Sequence, residues 1–255
     1  MRIYVCVKHV PDSAVGISIL GSNRIDENVT FLLNPYDEHA VTEAVRIRDQ
    51  IPGSEVIALC LGKDDSENTL RSALAMGADK GLLITSRRRH DSIETARALK
   101  AAIDCTGKPG LIFTGKESID AEGMQTMFRL GALFDFPAAT NVVKVDIKED
   151  IAIVDTEFSG GDINTLKLSV PCVLGAGRGL NTPKYPTFPD IVKSRKKKIE
   201  KIALADLNIE PLRAKMEIVR LFPLEQKRNP EEITGDAESA AQKILEILKN
   251  KAKVL

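Results

Sequence analysis

The chain has 255 residues, enough for one large α/β domain or two small ones with a sizeable core. Lys+Arg and Asp+Glu stand at 36 each, so the formal net charge is zero and nothing global points to nucleic acid or an acidic membrane surface. No window reaches the apolar length of a membrane span, and "MRIYVCVKHV" is too short and too broken by charge for a signal peptide.

That opening reads instead as a strand over Ile3–Lys8. A helix is expected after it, with Asn34 as N-cap, Pro35 at the first helical position and Asp37 and Glu38 at the positive end of the dipole. Ala40, Val41, Ala44 and Val45 make its apolar stripe. Glu55–Leu61 is the next strand. The following helix turns Leu70, Ala73 and Leu74 inward and stops at Gly77. "KGLLIT" is a strand, 91–105 a helix, "GLIFTG" a strand, and 122–134 a helix with Met124, Met127, Phe128 and Gly131 on one side. Strands alternating with helices of about ten residues or more imply a parallel sheet covered on both faces. Ligands bind such sheets at the carboxyl ends of the strands, where strand order reverses. The loops after Lys8, Leu61 and Thr114 are therefore the candidates.

From about Thr140 the pattern changes to that of antiparallel strands, running on through "NTLKLSVPCVLGAG" with turns at 148–150 and 159–162. The stretch 179–198 is rich in proline and ends in Lys193, Arg195, Lys196, Lys197 and Lys198. Its prolines argue against a helix or a central strand, and the basic residues read as a solvated or subunit-facing patch. After Ile199 the chain is charged and shows no clear core pattern until a last helix at about 236–249. Ala237, Ala240, Ala241, Ile244, Leu245 and Leu248 line one side of that helix. This leaves a nucleotide-binding α/β domain over 1–209 and an arm over 210–255, docked either on another subunit or on its own domain.

Several chemistries are excluded or disfavoured. Cys6, Cys60, Cys105 and Cys172 form no C-x-x-C pair and read as reduced thiols. His9, His39 and His90 lack partners at metal-ligand spacing. There is no P-loop, no nucleophile elbow and no nucleophile–base pair. "GAGRG" at 175–179 runs into "NTPKYP" rather than a helix, and "SGGD" at 159–162 is placed for a hairpin turn. What remains is a nucleotide-binding scaffold without evident catalytic machinery. Its informative stretch is 112–140. After the strand ending at Gly115 comes a polar loop and then a helix. Gly115, Ser118, Gly123 and Thr126 are small or hydroxylic, as a backbone approach to phosphate at a helix N-terminus requires. Asp120 suits a ribose or a turn cap, and Gln125 an adenine or phosphate edge. An ordinary βα loop would carry the same composition.

"VCVKHVPDS", "NPYDEHAVTEAVRIRD", "LRSALAMGAD", "TGKESID" with "QT" and "FPAAT", and "LNTPKYPTFPDIVKSRKKKIE" follow one another in this order. Together they resemble the β subunits of electron-transfer flavoproteins over roughly 1–209. The resemblance implies an adenine-nucleotide α-hydrolase-like, Rossmann-like fold with a small antiparallel part, and a heterodimer with an α subunit that holds most of a redox-active FAD. It implies a carrier rather than an enzyme in its own right. Electrons would come from acyl-CoA or similar dehydrogenases and pass to a quinone oxidoreductase or another acceptor. The β-bound nucleotide is AMP in ordinary members, or a second FAD in bifurcating members that oxidise NADH. Carried over by motif, that site comprises Cys6, Asn34, Pro35, Tyr36, Asp37, Leu61, Gly115, Asp120, Met124, Gln125 and Thr126. The recognition loop is 179–186, with Leu180 as anchor beside Asn181, Pro183 and Tyr185. Met124 stands where ordinary members often carry Asn, Phe128 where many carry Gly, and Ser13 where mitochondrial members place an aromatic. AMP and FAD thus both stay open for the β site, and 210–235 matches poorly. A nucleotide-sensing module of the universal-stress-protein kind shares the scaffold but has no use for the arm and the proline loop. With no targeting segment recognised, a prokaryotic cytoplasm is expected, or the mitochondrial matrix for a eukaryotic chain.

Overall fold

Ile3, Tyr4 and Val5 are fully buried in β1 (Arg2–Cys6), an interior strand next to the middle of a nine-stranded sheet. The computed structural model describes residues 1–210, 214–223 and 230–255, which fall into two units, Met1–Val219 and Arg220–Leu255. In the first unit β1 leads to short β2 (His9–Pro11), β3 (Ile19–Leu20), β4 (Arg24–Ile25) and β5 (Phe31–Leu33), which pair as β2–β5 and β3–β4. Then come α1 (Pro35–Gln50), β6 (Glu55–Gly62), α2 (Glu67–Met76), β7 (Lys80–Thr85), α3 (Ser92–Thr106), β8 (Leu111–Gly115) and α4 (Thr126–Phe134). The chain continues through β9 (Ala138–Lys148), β10 (Ile151–Glu157), β11 (Ile163–Ser169), β12 (Cys172–Ala176), α5 (Phe188–Ser194) and β13 (Ile199–Ala203).

Strand order is β11-β10-β9-β12-β8-β1-β6-β7-β13. The pairs from β9 to β13 are parallel, and only β9–β10 and β10–β11 are antiparallel. The chain moves outward from β1 through β6 to β7, then crosses to β8 on the other side of β1, so the crevice at the carboxyl ends of β1 and β8 is the switch point. Side chains alternate across the sheet and divide the core. Ile3 and Val5 pack with Ala40, Val41 and Ala44 of α1 and Leu70 and Leu74 of α2. Tyr4 and Cys6 pack with Ala96, Leu99 and Ile103 of α3 and Leu130 of α4.

The first half matches the sequence reading closely, and the α/β class is as expected. The second half differs in instructive ways. The antiparallel part extends the main sheet, and β12, expected to be antiparallel, is a fully buried parallel strand between β8 and β9. Its five buried residues leave no alternation to read, as a strand covered on both faces requires. The segment after Ile199 supplies β13, an edge strand parallel to β7, and Leu207 is 5% exposed beyond it. The helix expected over 122–134 starts at Thr126, because Glu122 and Met124 take positive φ (47° and 49°). Leu130 is buried on its inward face and Phe128 is 43% exposed, the reverse of the side expected for Phe128.

The proline-rich stretch contains a helix after all. Thr187 and Asp190 form a reciprocal capping box, and a proline sits in the first turn of α5, where a missing N–H costs nothing. The basic run that follows is partly sewn into the fold. Arg71 of α2 donates to the Ser194 and Lys197 carbonyls (2.9 and 2.8 Å). Lys197 donates back to Leu74 and Ala78 at the end of α2 (3.0 and 2.6 Å). Lys197 is therefore a helix C-terminal cap rather than a solvated charge.

In the second unit, α6 (Ala237–Glu246) starts at Asp236, whose carboxylate accepts from the Ser239 amide at 2.8 Å. A wider-wound turn over Ile247–Ala252 continues it, and Lys251 pairs with Glu231 at 2.9 Å. No residue of α6 is buried, and Ile244 and Leu245 of its apolar stripe are exposed. Among the described residues no helix is long and apolar enough to cross a membrane.

Candidate functional site

The switch-point crevice gathers the residues singled out from the sequence. Cys6 closes β1 and is 7% exposed, and Leu61 lies half-buried near the end of β6. Gly115 ends β8, and Asn34, Pro35, Tyr36 and Asp37 form the N-terminal turn of α1 directly beside it. Burial pushes the Cys6 thiol up, and the nearby Asp37 carboxylate adds to this, so Cys6 stays a neutral wall residue.

Asp37 joins the two central strands. Its carboxylate accepts from the Lys8 amide at 2.7 Å and from the Gly115 amide at 2.8 Å. Burial pushes its carboxyl up to about 7, although Asn34 and those two amides pull the other way. Gly115 permits this joint. A Cβ there would lie 2.5 Å from Asp37 Oδ1, 2.6 Å from Tyr36 Cβ and 3.0 Å from the Tyr36 carbonyl carbon.

Asn34, 1% exposed, was expected to cap α1, but its side chain is used elsewhere. It donates to the Glu117 carbonyl at 2.9 Å and accepts from the Ile119 amide at 3.2 Å. It therefore shapes the loop after β8 instead of closing its own helix. Asp120 has an exposed backbone, but its carboxylate is turned in and 18% exposed. Lys8 reaches across the mouth to it (2.6 and 2.8 Å) and to Ser118 Oγ (3.1 Å). Burial alone would raise the Asp120 carboxyl; the Lys8 charge and these hydrogen bonds overcome it and leave it lowered.

The loop then turns through Ser118, whose carbonyl accepts from the Glu122 amide at 2.8 Å. Met124 is half-buried with positive φ, Gln125 is exposed at the N-cap position, and Thr126 opens α4. No side chain caps α4. Its first N–H groups are left for an acceptor from outside, and the dipole favours an anion there. The arrangement offers a cation, a carboxylate and an uncapped helix start at one edge, which suits a ribose phosphate.

Sequence reasoning missed Lys8, and it missed the two cations over Tyr36, a residue it does place at the site. Lys8 was read as the tail of a strand, though its place just past the strand end was the available signal. Tyr36, 8% exposed, lies under two cations, with Lys116 Nζ 5.2 Å and the Arg178 guanidinium 5.3 Å from its ring centre. Arg178 immediately precedes the proline-rich stretch, so that stretch begins beside the crevice.

The loop lies along α1. Asn181 donates to the His39 carbonyl and to Glu43 Oε2, both at 3.0 Å, and the Lys184 amide donates to Thr42 Oγ1 at 3.1 Å. Leu180 is half-buried against the core, Pro183 half-buried, and Tyr185 83% exposed with Phe188 78% exposed after it. A cleft of about 450 Å³ lies under the loop, lined by Arg71, Ala75 and Met76 of α2 with Pro183, Tyr185 and Ile191. Among the described residues no His, Cys, Asp and Glu cluster has metal-binding geometry.

Residues 23–207 match the family model described as "Electron transfer flavoprotein domain". The chain is 36% identical over its whole length to "Electron transfer flavoprotein subunit beta, mitochondrial" of Arabidopsis thaliana, and the alignment spans all of that protein. It is 37% identical to "Electron transfer flavoprotein subunit beta" of Dictyostelium discoideum, over 82% of this chain and 84% of that one. It is 29% identical, full length against full length, to the protein of that name in Bacillus subtilis (strain 168).

Proposed function

The chain belongs to the electron transfer flavoprotein family, with the sequence of a β subunit, and from that premise we propose that it works as half of an αβ electron carrier. An α subunit would hold most of the FAD, which supplies the redox chemistry. This chain would bind a nucleotide at its β1–β8 edge and present the 179–186 stretch of the 177–187 loop, which joins β12 to α5, to acyl-CoA or similar dehydrogenases. A quinone oxidoreductase, or another acceptor, would take the electrons. The observation that carries the nucleotide reading is the uncapped start of α4 at the end of the loop whose Asp120 is paired to Lys8. These residues fit AMP: Lys8 and the first α4 amides for phosphate, Asp120 for ribose hydroxyls, Gln125 for a base edge. They take no part in electron transfer. They hold the nucleotide and fix the loop after β8. The exposed Ile244 and Leu245 of α6 fit a contact with the α subunit.

The test is co-expression with an α subunit. One flavin per heterodimer is expected, and AMP should be the nucleotide released on denaturation. Thr126→Val and Asp120→Ala each remove a polar partner worth about 1–3 kcal/mol, so affinity for AMP should fall by about five-fold or more, and AMP content with it. Unchanged AMP in both variants would sink the site. Two flavins per heterodimer, with NADH oxidation, would replace the carrier by the bifurcating reading, and tight reducible FAD on the isolated chain would overturn the division of labour.

Loop exposure divides two further variants. Tyr185 contacts solvent, so Tyr185→Ala should leave the melting temperature unchanged. It should raise the heterodimer KM of the dehydrogenase about ten-fold, a loss near 1.4 kcal/mol. Leu180 packs partly on the core, so Leu180→Ala should raise KM and also lower stability by about 1–3 kcal/mol. A Tyr185→Ala protein with wild-type KM would argue against this loop as the docking element.

A further inference from the structure

Glu43 is a buried carboxylate, 2% exposed, that no part of the nucleotide edge uses. It lies on the α1 face that carries the 177–187 loop. Its Oε1 accepts from Arg46 Nε and Nη2 (3.0 and 2.6 Å), and its Oε2 accepts from Asn181 Nδ2 at 3.0 Å. Arg46 in turn holds the Val145 carbonyl of β9 at 2.7 Å. His39 Nδ1 faces the Asn181 carbonyl and Oδ1 (3.0 and 3.2 Å), and Asn181 returns a bond to the His39 carbonyl. His39, Thr42, Glu43 and Arg46 lie three or four residues apart, so one side of one helix meets the loop.

Leu180 packs the start of the loop on the core, and the part beyond it is held by fewer contacts. Between the end of β12 and the start of α5 the loop makes no strand, and Lys184 and Tyr185 are exposed. Pro183 and Pro186 narrow its backbone choices. The side-chain bonds to α1 fix its place. A buried carboxylate is costly and is kept only where its oxygens are satisfied. Here both oxygens receive donors from different elements, which an acceptor-only group does and an amide does not.

We propose that Glu43 is a positioning residue for partner docking: through Asn181 it holds the 177–187 loop in its docking shape, touching neither the partner nor the nucleotide edge. Asn181, picked from the sequence as a contact, is then a clamp, its side chain turned in toward His39 and Glu43. A loop fixed beforehand loses less entropy on binding. The proposal rests on reading that loop as the docking element, and its test separates the two.

The αβ heterodimer is made with Glu43→Ala, Glu43→Gln, Asn181→Ala, the Glu43→Ala/Asn181→Ala double variant and Tyr185→Ala. Amide hydrogen exchange is followed over 178–187, and dehydrogenase turnover is measured against heterodimer concentration. Glu43→Ala should speed exchange in that segment about ten-fold and leave 111–134 as in wild type. KM should rise about ten-fold with kcat within about two-fold, a uniform-binding loss. Glu43→Gln keeps the shape but turns an amide N–H toward one of the two donors, so it should fall short of wild type in both readouts. The double variant should be no worse than the worse single, because both break one linkage. Unchanged exchange, or additive effects, overturns the clamp. Unchanged KM in Glu43→Ala with a raised KM in Tyr185→Ala overturns it too and leaves the docking loop standing. Unchanged KM in every variant overturns the docking reading and the proposal with it.

Discussion

A Gly115→Ala protein is expected to melt far below wild type and, on the proposed function, to lose the nucleotide bound at the β1–β8 edge. The added Cβ would meet Tyr36 Cβ at 2.6 Å and the Tyr36 carbonyl carbon at 3.0 Å, besides Asp37 Oδ1 at 2.5 Å. A carboxylate can swing away, but the first turn of a helix packed on the sheet cannot. The strand end and α1 must therefore part. Overpacking that moves backbone costs about 3 kcal/mol or more, about 6–12 °C in melting temperature for a chain of this size. Parting them also pulls the Gly115 amide off Asp37 and shifts the 116–125 loop, which follows directly. Gly123→Ala is the control, since a Cβ there meets only the Ala121 carbonyl, at 4.0 Å. It should stay within about 0.5 kcal/mol of wild type. Thermal melts of both heterodimers, with nucleotide counted after denaturation, check this. Equal melting temperatures would mean the joint is looser than its distances.

Legibility followed burial symmetry. Where one face of an element is buried, sequence shows it: the stripe Ala40, Val41 and Ala44 is as buried as its spacing predicts. Cys172–Ala176 is buried on both faces, so its sequence looks the same in a parallel or an antiparallel strand. β13 was hidden for the opposite reason. It is an edge strand whose Glu200 and Lys201 are exposed, and such strands carry charge. At the crevice the residue types were legible and their partners were not. Asn34 looked like a cap because local spacing favours one, yet it bonds Glu117 and Ile119, far along the chain. The pair Lys8–Asp120 and the Tyr36–Arg178 contact join residues more than a hundred positions apart, which no window of local sequence spans. The positive φ at Glu122 and Met124 likewise comes from the loop's tertiary path, against the helical preference of both residues.

Asp37→Ala should be nearly as damaging as Gly115→Ala, and it should change how stability depends on pH. Removing the carboxylate leaves the buried Lys8 and Gly115 amides without their acceptor. Two orphaned donors cost about 2–5 kcal/mol together. The sign of the pH effect follows from burial. The folded-state carboxyl is raised to about 7, against about 3.9 for an unfolded Asp, so folding favours the protonated form. That contribution is complete below the unfolded value, falls as pH rises toward about 7, and is gone above it. Most surface carboxylates paired with cations work the other way. The Lys8-bound Asp120 is an example, with its carboxyl lowered, so it adds stability above the unfolded value and loses it in acid. The two can be separated by denaturant unfolding of the heterodimer between pH 5 and 8. Wild type should lose stability across this range, whereas Asp37→Asn, which cannot ionise, should show a flatter profile. Asp120→Asn should keep the wild-type slope there, because its titration lies below the window. A wild-type slope that survives in Asp37→Asn would mean that the two amides hold Asp37 ionised throughout, their hydrogen bonds outweighing the cost of burial.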